Sequence, residues 1–338
     1  MKKIRVEDAV GHALIHDMTG ILENGKKGVV FTRGHTIRHE DLPALLDIGK
    51  RHIFVWEADA GEVHEDDAAL IAAEAVCGAG VTYDGAPSEG KVLMYAAMRG
   101  LFCADKDMLR AVNEVGDYTI ASLPSYTDVD EGQKLGGIRI VPLVTKRENV
   151  DAVVKLAAGG KVFSVLPYRK LKCGVIITGS EVFTGRIPDK FEPIMRQKLD
   201  KYGAEILGVV KCPDDLGDIL AAIAGFEADG AELILLTGGM SVDPDDLTPT
   251  AIRESGAEVI TQGVPMQPGN MLTIAKKGGL TLIGVPGASM HSPVTSLDVF
   301  LPRVFAGADL GEFASLGLGG FCSGCAECTY PRCYFGRA

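Results

Sequence analysis

The chain is predicted to be an α/β protein whose mostly parallel sheet is covered by helices on both faces and preceded by a mixed α+β region. Three observations carry this expectation. From residue 172 to about 307, short apolar runs alternate with amphipathic stretches of helical period, the pattern of strand–helix–strand units. The run Leu233-Ile234-Leu235-Leu236 has no polar face, as a strand buried on both sides requires. Several of these runs end in a glycine turn before the next helix, where open α/β sheets place their ligands.

Taken in order, the front region reads less regularly. Residues 29–31 and 53–56 look like strands flanking a helix over 39–48, and 66–76 is an Ala-rich helix stopped by Gly78. A helix over 105–115 is followed by Gly116-Asp117, then a strand over 138–144 and a helix over 150–158 ending at Gly159-Gly160. A strand over 162–166 leads through Pro167-Tyr168-Arg169-Lys170 into the second region. There the strands are 173–178, 204–210, 231–236 and 258–262, with helices over 191–202, 215–226 and 247–255 between them. Residues 271–275 and 280–285 form a hairpin-like pair turned by Lys277-Gly278-Gly279, and 293–305 is the last helix. The expected domains are therefore 1–169, 170–308 and a linker plus Cys-rich tail over 309–338.

At 338 residues the chain has room for more than one core. A net charge of −11 argues against broad nucleic-acid binding, although a local cluster can still receive a small anion. No apolar run reaches the length of a membrane span, and the start turns acidic at Glu7-Asp8 before a signal-peptide core forms. A cytoplasmic protein is expected, with neither nucleic acid nor membrane as partner. Cys77, Cys103, Cys173 and Cys212 are isolated among apolar or small neighbours and read as inert buried thiols.

The densest signal follows the strand at 233. Thr237-Gly238-Gly239-Met240-Ser241-Val242 runs into Asp243-Pro244-Asp245-Asp246, with a helix starting near Asp245. The glycines let backbone approach a ligand, and free amides before a helix receive anions. Carboxylates beside a phosphate repel it unless a divalent cation lies between, so the loop points to a phosphorylated ligand plus Mg²⁺. Two further loops would meet it at one edge of a parallel sheet: Thr178-Gly179-Ser180-Glu181 and Gly284-Val285-Pro286-Gly287-Ala288-Ser289. Plain turns also need glycine, and Asp243 and Asp245 also suit a helix start. Asp189, after Pro188 and before a helix, reads equally as an N-cap.

These motifs, with Pro268-Gly269, stand in the order seen in molybdopterin-binding domains. The chain resembles the molybdopterin molybdotransferase (molybdenum-insertion) family, and shares the pattern with the adenylyltransferase and competence-damage families. Over 172–307 the resemblance is close; the front half, through Thr32-Arg33-Gly34-His35-Thr36-Ile37 and Leu45-Leu46-Asp47-Ile48-Gly49, resembles the insertion family more loosely. It implies that Thr237, Gly238, Gly239 and Ser241 hold the pterin phosphate. Asp246 would be the functional carboxylate handling Mg²⁺ and molybdate, Asp243 its companion, and Asp189 a third acidic group. Pro286 and Gly287 would close over the ligand, with Thr178, Gly179, Ser180, Glu181 and Ser289 in the flanking loops. The implied activity is Mg²⁺-dependent insertion of molybdate into adenylylated molybdopterin with release of AMP, by a homodimer that passes cofactor to a molybdoenzyme. Nucleotidyl transfer or hydrolysis and non-enzymatic delivery of the cofactor are the alternatives. The chain departs from the family at Asp243, usually Gly, and at Asn270 in Pro268-Gly269-Asn270-Met271, where the family has lysine; Lys276 or His291 are candidate replacements.

The remaining cysteines, Cys322, Cys325, Cys328 and Cys333, give C-x2-C-x2-C-x4-C. Such spacing can close around one metal centre, an iron–sulfur cluster or Zn²⁺, while disulfides are disfavoured in a reducing compartment. Gly317 to Gly320 before them reads as a hinge.

Overall fold

In the computed structural model, which describes residues 1–338 except 22–24, 57–60, 242, 312–316 and 337–338, the strands of the second region join one six-stranded sheet. Its elements are β1 (Lys172–Thr178), α1 (Phe191–Asp200), β2 (Glu205–Cys212), α2 (Leu216–Ala228), β3 (Leu233–Thr237) and α3 (Thr248–Glu254). They are followed by β4 (Glu258–Gln262), β5 (Thr273–Lys277), β6 (Leu280–Val285) and α4 (Ser296–Ala306). The strand order is β2-β1-β3-β6-β5-β4. β2, β1, β3 and β6 are mutually parallel, and β5 runs antiparallel to both its neighbours.

Alternation along the strands feeds two cores. Val175, Ile177, Leu235 and Ile283 pack with Met195 and Leu199 of α1 and with Leu297, Phe300 and Leu301 of α4. Ile176, Ile234, Leu236 and Leu282 pack on the other face with Ile219, Ile223 and Phe226 of α2 and Ile252 of α3. Every one of these strand residues is fully or nearly fully buried, which is why the sequence shows apolar runs and not alternation. Gly174 interrupts β1 because a Cβ there would stand 2.6 Å from the Phe226 ring.

Helix starts follow their caps. Asp189 Oδ1 accepts from the amides of Phe191 (2.8 Å) and Glu192 (3.3 Å), and Asp215 Oδ1 from that of Asp218 (3.0 Å). α4 begins at 296, later than the expected 293, because Thr295 and Asp298 form a capping box. It stops at Gly307 (φ 69°). Tyr202, expected inside the first helix, lies beyond it and stacks on Phe305 at 4.7 Å.

Chain contacts define two units: Met1–Ala97, Ala104–Leu123 and Glu131–Ser164 form the first, and Met98–Cys103, Pro124–Asp130 and Val165–Ala338 the second. The second thus takes in more than the α/β sheet. The tail belongs to it, with Phe335 buried in the same core as α1 and α4. Of the stretch expected to be a hinge, Gly317 and Gly320 lie against Pro265: a Cβ on Gly320 would overlap the Pro265 carbonyl oxygen.

In the first unit, the helix Glu65–Val76 packs on a four-stranded antiparallel sheet that contains Lys91–Ala96 and Lys134–Ile140. The expected single strand over 138–144 is two, Lys134–Ile140 and Val144–Lys146, because the Val141 amide donates to Asp117 O at 2.9 Å and turns the chain. The strands near 29 and 53 flank a helix as expected, Lys27–Phe31 before and His52–Val55 after Leu42–Asp47, but each pairs elsewhere. Lys27–Phe31 pairs with Met18–Ile21, and His52–Val55 with Lys2–Arg5. Pro43, lacking an amide hydrogen, sits in the first turn of Leu42–Asp47, and a 3-10 turn, His39–Asp41, replaces the start of the expected helix. Trp56, the sole tryptophan, donates from Nε1 to Glu62 Oε2 at 2.7 Å and lies 6.2 Å from the His64 ring. His64 and its neighbour Glu65 are both buried.

Candidate functional site

β1 leads to α1 on one face of the sheet, and β3 leads to α3 on the other. Where consecutive connections part to opposite faces, a crevice opens outside the carboxyl ends of the strands. A cleft of about 900 Å³ lies there, and its lining includes Thr178 at the end of β1 and Gly179 after it, Gly238, Gly239 and Ser241 after β3, and Gly287 after β6. The three glycine turns read from sequence meet at one place.

The β3 turn is held from below. Gly238 (φ 86°) and Gly239 (φ 53°) adopt left-handed backbone, and a Cβ on Gly238 would overlap the carbonyl oxygen of Thr178. Thr248 Oγ1 donates to Gly238 O at 2.8 Å, and the Thr248 amide donates to Gly239 O at 3.3 Å. Asp246 Oδ2 accepts from the Asp243 amide at 3.0 Å, while the Asp246 amide donates back to Asp243 O at 3.0 Å. This reciprocal pair fixes the acidic loop, whose Asp243, Asp245 and Asp246 all line the cleft. Val242 lies outside the described residues.

Asp189 lines the cleft as well as capping α1. Its Oδ2 lies 3.2 Å from Lys211 Nζ, an ion pair whose angles fall short of a hydrogen bond. Glu181 lines the cleft, while Ser180 is not among the lining residues and is tied to one that is: its amide donates to Asp214 Oδ2 at 2.8 Å and its Oγ accepts from the Asp214 amide at 3.2 Å. Thr237 is fully buried with its Oγ1 unbonded. Ser289 is buried with Oγ 3.0 Å from Thr295 Oγ1, and Pro286 precedes the short 3-10 turn Gly287–Met290. Thr237, Ser180, Pro286 and Ser289 thus support the wall and do not form its surface.

Sequence reasoning missed several lining groups. Asp214 follows β2 after Pro213, a strand-end turn that carried no glycine signal. Lys190 is the cation among the lining residues. Lys276, considered as the replacement cation, sits within β5 opposite Thr281 and Glu258, and neither it nor His291 is among the residues that line the cleft. The lining also includes Val182, Ile187, Phe191, Met240, Met271 and Met290, apolar side chains alongside the carboxylates. The lining therefore combines apolar surface that suits a flat ring with carboxylates that suit a charged group whose counter-ion is a metal cation.

Among the described residues, no group of three or more His, Cys, Asp or Glu side chains stands in metal-holding geometry. The tail thiols expected to converge are thus not gathered into a ligand set: Cys322 and Cys333 are half-buried, and Cys325 and Cys328 are exposed. The isolated cysteines behave differently. Burial pushes the Cys77 and Cys173 thiols up to about 12 and Cys103 to about 11, and raises Cys212. No helix among the described residues is long and apolar enough to cross a membrane.

Fold and cleft together define a doubly wound α/β domain with its crevice at the strand switch point. Residues 174–306 match the family described as "Probable molybdopterin binding domain", so this part of the chain belongs to the molybdopterin-binding superfamily. Residues 3–57 match a domain of unknown function (DUF8806). The molybdopterin molybdenumtransferase of Synechococcus elongatus is 28% identical over 177 residues, covering 49% of this chain and 44% of that protein. A CinA-like protein of a Mycobacterium species (strain JLS) is 38% identical over 90 residues, covering 26% of this chain and 21% of its own length. The chain thus spans less than half the length of these curated relatives. Among solved structures, the tungsten cofactor synthesizing protein MoaB from Pyrococcus furiosus aligns at 20% identity and TM-score 0.32, over 40% of this chain and 94% of that one.

Proposed function

We propose that the protein acts in molybdenum cofactor biosynthesis, inserting molybdate into adenylylated molybdopterin with release of AMP and with Mg²⁺ as cofactor. The observation that carries this reading is the convergence of three glycine turns and Asp246 on one cleft. The turn after β3 offers backbone amides to the pterin phosphate, and the methionine-rich wall packs on the ring. Asp246 and Asp243 hold Mg²⁺, which offsets phosphate charge against the carboxylates around it. Lys190 stands nearest in role to the family's missing lysine and would steady an oxyanion. Asp189 orients the start of α1, and its charge is balanced by Lys211. The same reading carries a cytoplasmic homodimer that passes cofactor to a molybdoenzyme, and a thiolate-bound iron–sulfur cluster or Zn²⁺ in the tail.

The test is to incubate the protein with adenylylated molybdopterin, Mg²⁺ and molybdate and to follow AMP. Molybdate-dependent AMP release that falls about 100-fold or more in Asp246→Ala supports insertion. A second reading, delivery of finished cofactor, is favoured by Asn270 and by the absence of Lys276 and His291 from the cleft lining. It predicts tight cofactor binding without AMP release. The match to CinA-like sequence favours a third, nucleotidyl transfer or hydrolysis: hydrolysis yields AMP without molybdate, and transfer passes the adenylyl group to an acceptor such as pyrophosphate without free AMP.

A further inference from the structure

Gly238 and Gly239 both run through left-handed backbone (φ 86° and 53°), and their two successive carbonyls meet the start of α3. Thr248 takes both of them. Its Oγ1 donates to Gly238 O at 2.8 Å, and its amide donates to Gly239 O at 3.3 Å. A trans peptide sets its N–H opposite its C=O, so holding these carbonyls turns the Gly239 and Met240 amides away from Thr248. Among the described residues those two amides donate to no other group. Gly239 and Met240 line the cleft, whereas Thr248 is fully buried and outside the lining. Adjacent amides left open in this way form an anion-binding nest.

The Thr248 hydroxyl also reaches the turn after β1. Thr178 Oγ1, at the end of that strand, lies 3.4 Å from Thr248 Oγ1. With the Thr248 proton directed at Gly238 O, Thr178 is the donor of this contact. The acidic loop hangs on the same residue. The bonds between Asp243 and Asp246 close that loop on itself and leave its distance from the glycines open. Among the described residues, the hydrogen bonds from the 243–248 segment to Gly238 and Gly239 are the two that Thr248 makes. The fit is close, since a Cβ on Gly239 would stand 3.1 Å from Thr248 Oγ1. Thr248 is held in turn by α3, whose Ala251 and Ile252 are buried in the core shared with α2.

We propose that Thr248 is a positioning residue of the cleft: it presents the Gly239 and Met240 amides as one anion-binding pair and sets their distance from the Asp246 carboxylate. The inference rests on the reading of the cleft as a phosphate and Mg²⁺ site, and it holds whichever reaction follows binding. Thr248 touches neither ligand nor ion. It acts through the two carbonyls that it holds.

The full chain, isotope-labelled at its glycine and methionine nitrogens, is titrated with inorganic phosphate in the presence of Mg²⁺ and followed by amide resonances. In the wild type, the Gly239 and Met240 amides should shift and saturate. Thr248→Val keeps the shape and the backbone amide but loses the hydroxyl, and phosphate affinity should fall about tenfold. Thr248→Ser restores the hydroxyl and should return affinity to within about twofold of wild type. Urea midpoints are measured on the same samples, because a purely structural role lowers the midpoint and leaves the affinity of the folded variant unchanged. That outcome overturns the assignment. Should Thr248→Val not fold, Thr248→Cys takes its place, since a thiol is a weak donor and affinity should again fall. Absence of any shift in the wild type removes the phosphate site itself, whereas equal affinity in wild type and variant removes only the role of Thr248. Neither readout involves pterin, AMP or molybdate, so both stand apart from the insertion assay.

Discussion

At Gly238 the backbone runs at φ 86° directly above the Thr178 carbonyl, so both conformation and space demand glycine. Gly238→Ala should lower stability by about 1–3 kcal/mol, read as a drop in urea midpoint. Asp189 has two duties that can be separated. Asp189→Asn should keep the urea midpoint, since asparagine caps as well as aspartate, while Asp189→Ala loses about 1 kcal/mol. AMP release should fall in both if the charge serves the cleft. Glu65 is buried, and desolvation, reinforced by Asp66, raises its carboxyl to about 7. A folded-state value above the unfolded one means the folded chain holds the proton longer. The stability this contributes is full below about 4.5 and is lost as pH rises through about 7. His16 and His64, whose burial lowers their values, slope the other way, so the measurement is the difference between wild type and Glu65→Gln across this window. The glycines were legible because a left-handed turn leaves so few alternatives. Lys190 and Asp214 were not, since an exposed charge carries no sign in sequence of which cleft it faces.

Among the elements, β1 and α2 meet where Gly174 accepts the Phe226 ring. Gly174→Ala forces that ring aside and should cost about 1–3 kcal/mol, and Phe226→Leu should recover part of the loss; paired urea denaturation curves check the coupling. The parallel strands were readable because both their faces are buried, which writes an unbroken apolar run into the chain. The strands of the first unit were harder. Lys91–Ala96 was missed because Leu93 and Tyr95, between the buried Val92, Met94 and Ala96, are themselves apolar and hide the alternation, and Lys134–Ile140 carries Gly136 and Gly137. Gly136 is required there because a Cβ would stand 2.8 Å from the Ser122 Cα of the neighbouring strand. A close backbone approach of this kind looks like a loop until the partner strand is known.

At the scale of the molecule, the charge of −11 agrees with a cleft rimmed by carboxylates. A phosphorylated ligand that enters such a cleft with a cation should bind poorly without one. Mg²⁺ and molybdopterin together should therefore raise the melting midpoint of the second unit, by about 2.7 kcal/mol of stabilisation at a hundredfold excess over the dissociation constant. Either alone should do much less, and calorimetry measures the difference. The two units give such experiments a built-in label. Trp56 is the sole indole in the chain and belongs to the first unit. Emission excited at the indole band follows the opening of that unit alone, with the Glu62 carboxylate and the His64 ring beside it as environment. The α/β unit has tyrosines but no indole, so its melting is silent at that wavelength. One sample scanned by emission and by calorimetry would show which of the two folds gives way first.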